Sequence, residues 1–144
     1  MTLKKLLTGQ GYVSIALTHT VSQHFAIEAK INGIEGRFIL DTGASNTCLG
    51  IENSDYFKLN VEHSEIKASG AGASEMDTQI SRKNILEIGK WIHPRATIVL
   101  FDLTHVNNAL IQHNIAPVHG IIGADILKKG KAIIDYPKKR VFLK

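Results

Sequence analysis

The sequence predicts a mainly β fold, a single domain over residues 1–144 in which many short strands form a closed or sandwich-like barrel. Three observations support this prediction. Apolar and polar residues alternate in many short segments, as in strands with one buried face. Glycine is frequent, with 12 residues against 3 prolines, which favours many turns. Only two segments have the spacing of an amphipathic helix.

The first part of the chain is predicted to form strands joined by tight turns. Residues 13–18 and 25–31 alternate apolar with polar side chains. Asn32-Gly33 then predicts a two-residue hairpin turn, because both turn positions need a positive φ. The returning strand, residues 36–40, leads directly into Asp41.

The later elements follow from the same patterns. Pro94 lacks a backbone donor, so the strand that contains it is expected to be bulged or at a sheet edge. Thr104 is the expected N-cap of the first helix, and Gly130 ends the second. The predicted elements are strands at residues 61–69, 76–81, 91–101, 132–136 and 140–143, one helical turn within 53–59, and helices at 104–113 and 124–129.

Composition and charge limit the classes of function. Much of the excess positive charge, net +4, lies near the end of the chain, where it alternates with short apolar strands. A solvated surface is therefore favoured over a nucleic-acid interface. No segment approaches the ~20 apolar residues of a membrane span, and residues 1–7 lack a convincing signal-peptide cleavage site. We expect a cytoplasmic protein with no nucleic-acid or membrane partner. The single cysteine, Cys48, excludes an internal disulfide and is interpreted as a small buried hydrophobe.

The segment 38–45, Phe-Ile-Leu-Asp-Thr-Gly-Ala-Ser, is the most informative for chemistry. Three apolar residues bring Asp41 to the end of a buried strand, where a charge is costly unless it is paired or protonated. Gly43 lets the backbone turn sharply beside the carboxylate, and Thr42 adds a hydroxyl that could lock the loop. Asp-Thr-Gly alone would indicate an ordinary turn, but the apolar run before it and Ala44-Ser45 after it favour a functional loop.

This segment resembles the active-site loop of the retropepsin family, especially its bacterial single-domain members. A second family signature, two apolar residues followed by glycine, is present as Ile121-Ile122-Gly123. The glycine-rich tip at residues 70–74 matches the position of the family's flap. The resemblance covers roughly residues 12–144. It implies a closed acid-protease barrel with one or two short helices, and an aspartic endopeptidase in which Asp41 is catalytic.

The resemblance also implies a homodimer, since the chain carries one Asp-Thr-Gly and the chemistry needs two carboxylates. No metal or organic cofactor is expected, and the substrate would be a peptide or protein. The roles that it implies are these: Thr42 interlocks the two loops across the dimer, Gly43 presents its backbone to the carboxylates, Gly70, Ala71 and Gly72 form the flap, and Ile122 and Gly123 brace the active-site loop from below.

Two features depart from the viral members of the family. Ser45 stands where they usually carry aspartate, which weakens any transfer of their substrate contacts at that position. Residues 104–117 form a helical insertion that compact viral relatives lack.

Other functions find less support in the sequence. The seven histidines show no metal-ligand spacing such as HExxH, although His119 precedes the second signature and could lie near the carboxylate pair or its support. No Gly-x-Ser-x-Gly element of a serine hydrolase is present. The main rival to an enzyme is a non-catalytic peptide-binding or dimerisation module on the same fold.

Ala44 generates a prediction about pH. Pepsin-like enzymes usually carry a hydroxyl residue at this position, which can donate a hydrogen bond to the charged carboxylate pair and favour it. Because Ala44 cannot donate, we expect an activity optimum less acidic than that of pepsin-like enzymes. A pH–rate profile that peaks below about pH 3 would contradict this, because an isolated aspartate already titrates near pH ~4.

Overall fold

The computed structural model describes residues 1–70 and 73–144. Within this part of the chain the helices are α1 (Leu3–Gly9), α2 (Thr104–Gln112) and α3 (Ala124–Lys129), with one 3₁₀ turn at Ile51–Asn53. The strands are β1 (Val13–Ala16), β2 (Thr18–His19), β3 (Phe25–Ile31), β4 (Ile34–Leu40), β5 (Cys48–Gly50), β6 (Glu62–Gly70), β7 (Ala73–Ile88), β8 (Trp91–Phe101), β9 (Gly120–Ile122), β10 (Ile133–Asp135) and β11 (Arg140–Leu143).

The larger sheet closes on itself into a barrel. Its strand order is β2-β3-β4-β9-β5-β8-β7-β6, and β3 pairs with β7 as well as with β4. The ring therefore runs through six strands, β3, β4, β9, β5, β8 and β7. The prediction of a mainly β, closed barrel is confirmed. The Asn32-Gly33 hairpin is also confirmed, since both residues have a positive φ and Ile31 pairs with Ile34.

The strands that matter for the site are β4 and β9, which run parallel. Leu40 pairs with Ile122, so both strands end at the same edge of the sheet. β5 lies on the other side of β9 and runs antiparallel to it, with Cys48 opposite Ile121. The chain that leaves β4 at Asp41 thus returns as β5 on the far side of β9.

Side-chain alternation divides the central strands between two apolar clusters. The barrel cluster takes Phe38 and Leu40 from β4 and Ile122 from β9. A second set, here called the α2 cluster, lies on the opposite face, and α2 and its flanking turns cover it. Its buried members are Ile39, Cys48, Val99, Phe101, Leu103, Leu110, Ile115, Val118 and Ile121.

A second, smaller sheet joins the two ends of the described chain. Its order is β1-β11-β10, and both pairings are antiparallel. Helix α1 precedes β1 and buries Leu7.

Several local predictions need correction. Helix α1 was not predicted, because Leu7 is its one buried residue and a single buried position leaves no periodic stripe in the sequence. The expectation of one or two short helices is therefore too low for the described residues. Thr104 is the first helical residue and not the N-cap; Leu103 occupies the cap, and the Asp102 carboxylate accepts a hydrogen bond from the Thr104 N–H at 2.8 Å. That helix ends at Gln112, one residue earlier than predicted.

The strand that contains Pro94 is bulged, as predicted. Asn84 of β7 pairs with Ala96 and Leu86 pairs with His93, so β8 has one more residue than β7 between these two pairs. The predicted bounds of β8, α3 and β11 match the structure. The strand predicted at 76–81 is part of a much longer strand, β7.

Gly120 gives a direct test of the close packing of β9 on β5. A Cβ at this position would collide with the Cys48 carbonyl oxygen, so Gly120→Ala must force the two strands apart. We expect a loss of about 1–3 kcal/mol in the free energy of unfolding, measured with urea. Gly9→Ala is the matched control, because its Cβ would meet nothing within 4 Å. Equal stability of the two variants would show that β5 and β9 are not packed this closely.

Candidate active site

Asp41 continues β4 by one residue and then starts a tight turn. Its N–H donates to the Ile122 carbonyl at 3.0 Å, which extends the pairing of β4 with β9. The half-buried carboxylate accepts a hydrogen bond from the Gly43 N–H at 2.9 Å through Oδ1. The Ala44 N–H donates to the Asp41 carbonyl at 3.2 Å and closes the turn. The backbone of the loop therefore holds its own carboxylate in one orientation.

Gly123 lies in backbone contact with this loop. A Cβ on Gly123 would be 2.8 Å from the carbonyl oxygens of both Ala44 and Asn46, which is closer than real side chains approach. The next residue, Ala124, donates its N–H to the Ala44 carbonyl at 2.7 Å. The second sequence signature thus places Ile122 and Gly123 directly against the residues that follow Asp41.

A buried hydrogen-bond cluster below the loop was missed at the sequence level. Thr47 has no solvent exposure. Its hydroxyl donates to Asp125 Oδ1 at 2.8 Å and accepts from the Gly123 N–H at 3.0 Å. The Thr47 N–H donates to Asp125 Oδ2 at 3.0 Å, and the Ile126 N–H donates to Oδ1 at 2.8 Å. Asp125 therefore joins the start of α3 to the end of the active-site loop.

Asp125 is not itself the cap residue of α3. The cap position is Gly123, and Asp125 lies within the first turn of the helix. Its partner Thr47 is 78 residues earlier in the chain. A polar pair at this separation has no spacing rule, so the one available signal was an aspartate two residues after the signature glycine.

Cys48 lies beside this cluster and is not a reactive thiol. Burial, together with the negative charges of Asp125 and Asp41, raises the pKa of the Cys48 thiol to about 12. The thiol also donates a hydrogen bond to the Asn46 carbonyl at 3.1 Å. Because the thiolate is the nucleophilic form, a neutral, buried thiol is inert.

The other predicted loop residues differ in their exposure. Thr42, Gly43 and Ser45 are exposed, and Ala44 is half-buried. Thr42 also lines an open groove of roughly 460 Å³. The remaining groove residues come from α3 and the segment that leads into β10: Ala124, Leu127, Lys128, Lys131, Ala132 and Ile134.

The flap prediction falls mostly outside the described residues. Gly70 ends β6 and pairs with Ala73, the first residue of β7. Ala71 and Gly72 are not among the residues that the structure describes.

His119 supports β4 at a distance from Asp41. The ring Nδ1 of His119 accepts a hydrogen bond from the Arg37 backbone N–H at 3.1 Å. The backbone N–H of His119 donates to the Arg37 carbonyl at 2.8 Å. The imidazole stacks on Tyr56, with ring centroids 5.4 Å apart. Arg37 is four residues before Asp41, or about 13 Å along an extended strand. His119 therefore contacts the supporting strand and not the carboxylate.

Within residues 1–70 and 73–144, no group of three or more His, Cys, Asp or Glu is placed to hold a metal ion. Among the described helices none has the length and apolar character needed to cross a membrane.

Comparison with known proteins identifies similar sequences and folds. The family model described as aspartyl protease matches residues 27–126, which is well over half of the chain. A retropepsin-like aspartic protease from Rickettsia conorii has a similar structure, with a TM-score of 0.60 and 22% identity over 92% of this chain and 89% of that one. The EIAV protease, solved in complex with the inhibitor HBY-793, also has a TM-score of 0.60, with 18% identity over 82% of this chain and 98% of that one. No curated protein sequence matches the chain.

The buried hydroxyl of Thr47 provides the test of the supporting cluster. Thr47→Val keeps the side-chain shape but leaves the Gly123 N–H without its acceptor and Asp125 with one donor fewer. We expect Thr47→Val to lower the free energy of unfolding by about 2–3 kcal/mol. Thr47→Ser keeps the hydroxyl, so its free energy of unfolding should fall clearly less than that of Thr47→Val. Urea unfolding at equal protein concentrations compares them, and a valine variant as stable as the serine variant would refute the role of the hydroxyl.

Proposed function

Because this chain belongs to the aspartyl protease family and has the retropepsin fold, we propose that it is an aspartic endopeptidase whose active site forms from two copies of the chain. The observation that carries the proposal is Asp41. It ends a buried strand, its carboxylate is held by the Gly43 N–H, and it lies on a loop whose neighbouring residues are exposed. One such loop supplies one carboxylate, while the reaction needs two.

The surface around Thr42 supports a second copy as the missing half. Thr42 is exposed at the turn of the loop, and the groove beside it has an apolar lining from Leu127 and Ile134. In the proposed homodimer, a twofold axis passes between the two loops and the two Asp41 carboxylates face each other. Each Thr42 hydroxyl would then reach the partner loop and hold the two loops together.

The proposed reaction is hydrolysis of a peptide bond by an activated water molecule. Two carboxylates a few ångströms apart cannot both be ionised, so the pair shares one proton, as in other aspartic proteases. The ionised Asp41 takes a proton from water as the water oxygen attacks the scissile carbonyl carbon. The protonated Asp41 donates to the carbonyl oxygen. A proton then passes to the leaving nitrogen as the carbon–nitrogen bond breaks. No metal or organic cofactor enters this scheme.

The loop geometry favours this chemistry through fixed orientation. The Gly43 N–H holds Oδ1, and the contacts of Gly123 and Ala124 with the loop hold the backbone beneath it. A carboxylate that is already positioned does not have to be ordered in the transition state, which lowers the activation barrier.

We further propose that the substrate is an extended peptide segment of a protein. An extended backbone can hydrogen-bond along the cleft while alternate side chains enter pockets. Gly70, Ala71 and Gly72 would cover it as a flap. The protein is proposed to act in the cytoplasm of a bacterium.

Replacement of Asp41 tests the proposal. The protein and its Asp41→Asn variant are incubated with a diverse peptide mixture over a broad pH range, and new termini are detected by mass spectrometry. We expect cleavage by the wild type and none by Asp41→Asn, because an amide cannot act as the general base. The control is Asp55→Asn, an exposed aspartate outside the site, which should cleave normally.

The same experiment addresses the rival function. The wild type and Asp55→Asn are first confirmed to be dimers. If neither of them then cleaves any peptide, the chain is a peptide-binding or dimerisation module and not an enzyme.

A further inference from the structure

We propose that Asp125 is a positioning residue for the proposed hydrolysis, and that it sets the direction of the Asp41 carboxylate by acting through Thr47 and Gly123. This inference rests on the proposed function, because it concerns the same active site. It gives a role in the reaction to a carboxylate on α3.

The first step is that Asp125 mainly bonds outside its own helix. A carboxylate in the first turn of a helix is stabilised by the backbone N–H groups there, and Oδ1 accepts from the Ile126 N–H at 2.8 Å. The other two bonds that it accepts from described residues come from Thr47. The Thr47 hydroxyl donates to Oδ1 at 2.8 Å, and the Thr47 N–H donates to Oδ2 at 3.0 Å. Stabilisation of α3 therefore accounts for one bond of the three.

The second step is that these two bonds fix both the position and the orientation of Thr47. A single hydrogen bond leaves a residue free to rotate about it, whereas separate bonds to the backbone N–H and to the hydroxyl hold both groups. The acceptor is a carboxylate, and charge-assisted hydrogen bonds are roughly twice as strong as neutral ones. Thr47 has no solvent exposure, so water does not replace the carboxylate as its partner.

The third step concerns the two ends of the active-site loop. The loop begins at Asp41, whose N–H donates to the Ile122 carbonyl of β9. It ends at Thr47, whose carbonyl accepts from the Val99 N–H of β8 at 3.0 Å. That backbone bond does not hold the Thr47 hydroxyl. Without the Asp125 carboxylate, the hydroxyl is free to rotate.

The fourth step leads from the Thr47 hydroxyl to the reacting carboxylate. The hydroxyl accepts from the Gly123 N–H at 3.0 Å, and Gly123 lies against carbonyl oxygens of the loop. The next residue, Ala124, donates its N–H to the Ala44 carbonyl at 2.7 Å. The Ala44 N–H in turn donates to the Asp41 carbonyl at 3.2 Å. A displaced Thr47 therefore moves the turn that holds the Asp41 carboxylate.

The proposed reaction is sensitive to a small displacement of this turn. A reacting group that is misplaced by about 1 Å can lower the rate about 100-fold, even when the changed residue is far from the chemistry. Such a change lowers kcat and kcat/KM together, because it weakens an interaction that is made in the transition state and not in substrate binding. A fall in kcat at constant KM is therefore the expected signature of lost positioning.

Two variants of Asp125 test this role. Asp125→Ala removes all three acceptor bonds, and we expect kcat per dimer to fall about tenfold to 100-fold while KM changes by less than about twofold. Asp125→Asn is the conservative variant. In either orientation its amide places the NH2 group against one of the two backbone donors, so part of the contact remains. Its kcat should lie between those of the wild type and Asp125→Ala.

Asp102→Asn is the matched control. Asp102 accepts hydrogen bonds from the N–H and the hydroxyl of Thr104 at the start of α2, so it makes the same kinds of contact at a different helix. Its replacement should leave kcat per dimer as in the wild type. If Asp102→Asn lowered kcat as much as Asp125→Asn does, the loss would be a general effect on structure and the proposal would be overturned.

The amide signal of Gly43 keeps this inference distinct from the proposed activity. The Gly43 N–H donates to Asp41 Oδ1, so its NMR chemical shift reports the placement of the carboxylate. We expect this signal to move in Asp125→Asn and further in Asp125→Ala, and to stay in place in Asp102→Asn. Asp125→Asn carries the test if Asp125→Ala does not fold.

The outcomes separate the two proposals. If the Gly43 signal moves but the wild type cleaves no peptide, the proposed hydrolysis fails and the link from Asp125 to the loop stands. A Gly43 signal that does not move in the folded Asp125 variants would overturn the link. In an active enzyme, a kcat equal to that of the wild type in these variants would overturn the positioning role.

Discussion

The structure of the site depends on one backbone contact, the approach of Gly123 to the loop that follows Asp41. A side chain at residue 123 would collide with the carbonyl oxygens of Ala44 and Asn46, so the contact exists only because glycine has no Cβ. Parallel pairing of β4 with β9 brings the two segments to the same sheet edge. Once they meet, Ala124 bonds to Ala44, and Thr47 links Gly123 to Asp125. Loop, strand and helix α3 then form one rigid unit under the carboxylate.

These contacts explain why the loop can be exposed to solvent and still hold its carboxylate in a defined position. Residues that contact solvent usually have freedom to move, but here the backbone of an exposed turn is fixed from below by buried hydrogen bonds. The carboxylate gains a defined direction without being buried in its own chain, where an isolated charge would be costly. The exposed side of the loop remains available for the second copy that the proposed chemistry requires. Helix α2 covers the outer face of the same strands, so the insertion buries apolar surface.

The sequence predicted those features that are encoded locally. The closed barrel follows from alternating strands, the Asn32-Gly33 turn from the conformational demands of its two residues, and α3 from its short apolar stripe and final glycine. Features that depend on distant partners were not predictable in this way. Thr47 and Asp125 have meaning only after β4 and β9 are paired, and α1 has too little buried surface to produce a pattern. The N-cap error at Thr104 arose because Asp102, two residues earlier, accepts hydrogen bonds from both the N–H and the hydroxyl of Thr104, which becomes the first helical residue. The roles of Asp41, Thr42 and the glycine tip remain proposals from family resemblance and loop geometry.

The central claim is that each active site needs Asp41 from two chains, and subunit mixing tests it most directly. Wild-type protein and Asp41→Asn are mixed in equal amounts, allowed to exchange fully, and assayed at constant total protein. If both carboxylates are required, mixed dimers are inactive and about one quarter of the wild-type activity remains, because random pairing leaves that share of intact pairs. Retention of about one half would mean that each chain acts alone, and would contradict the shared site.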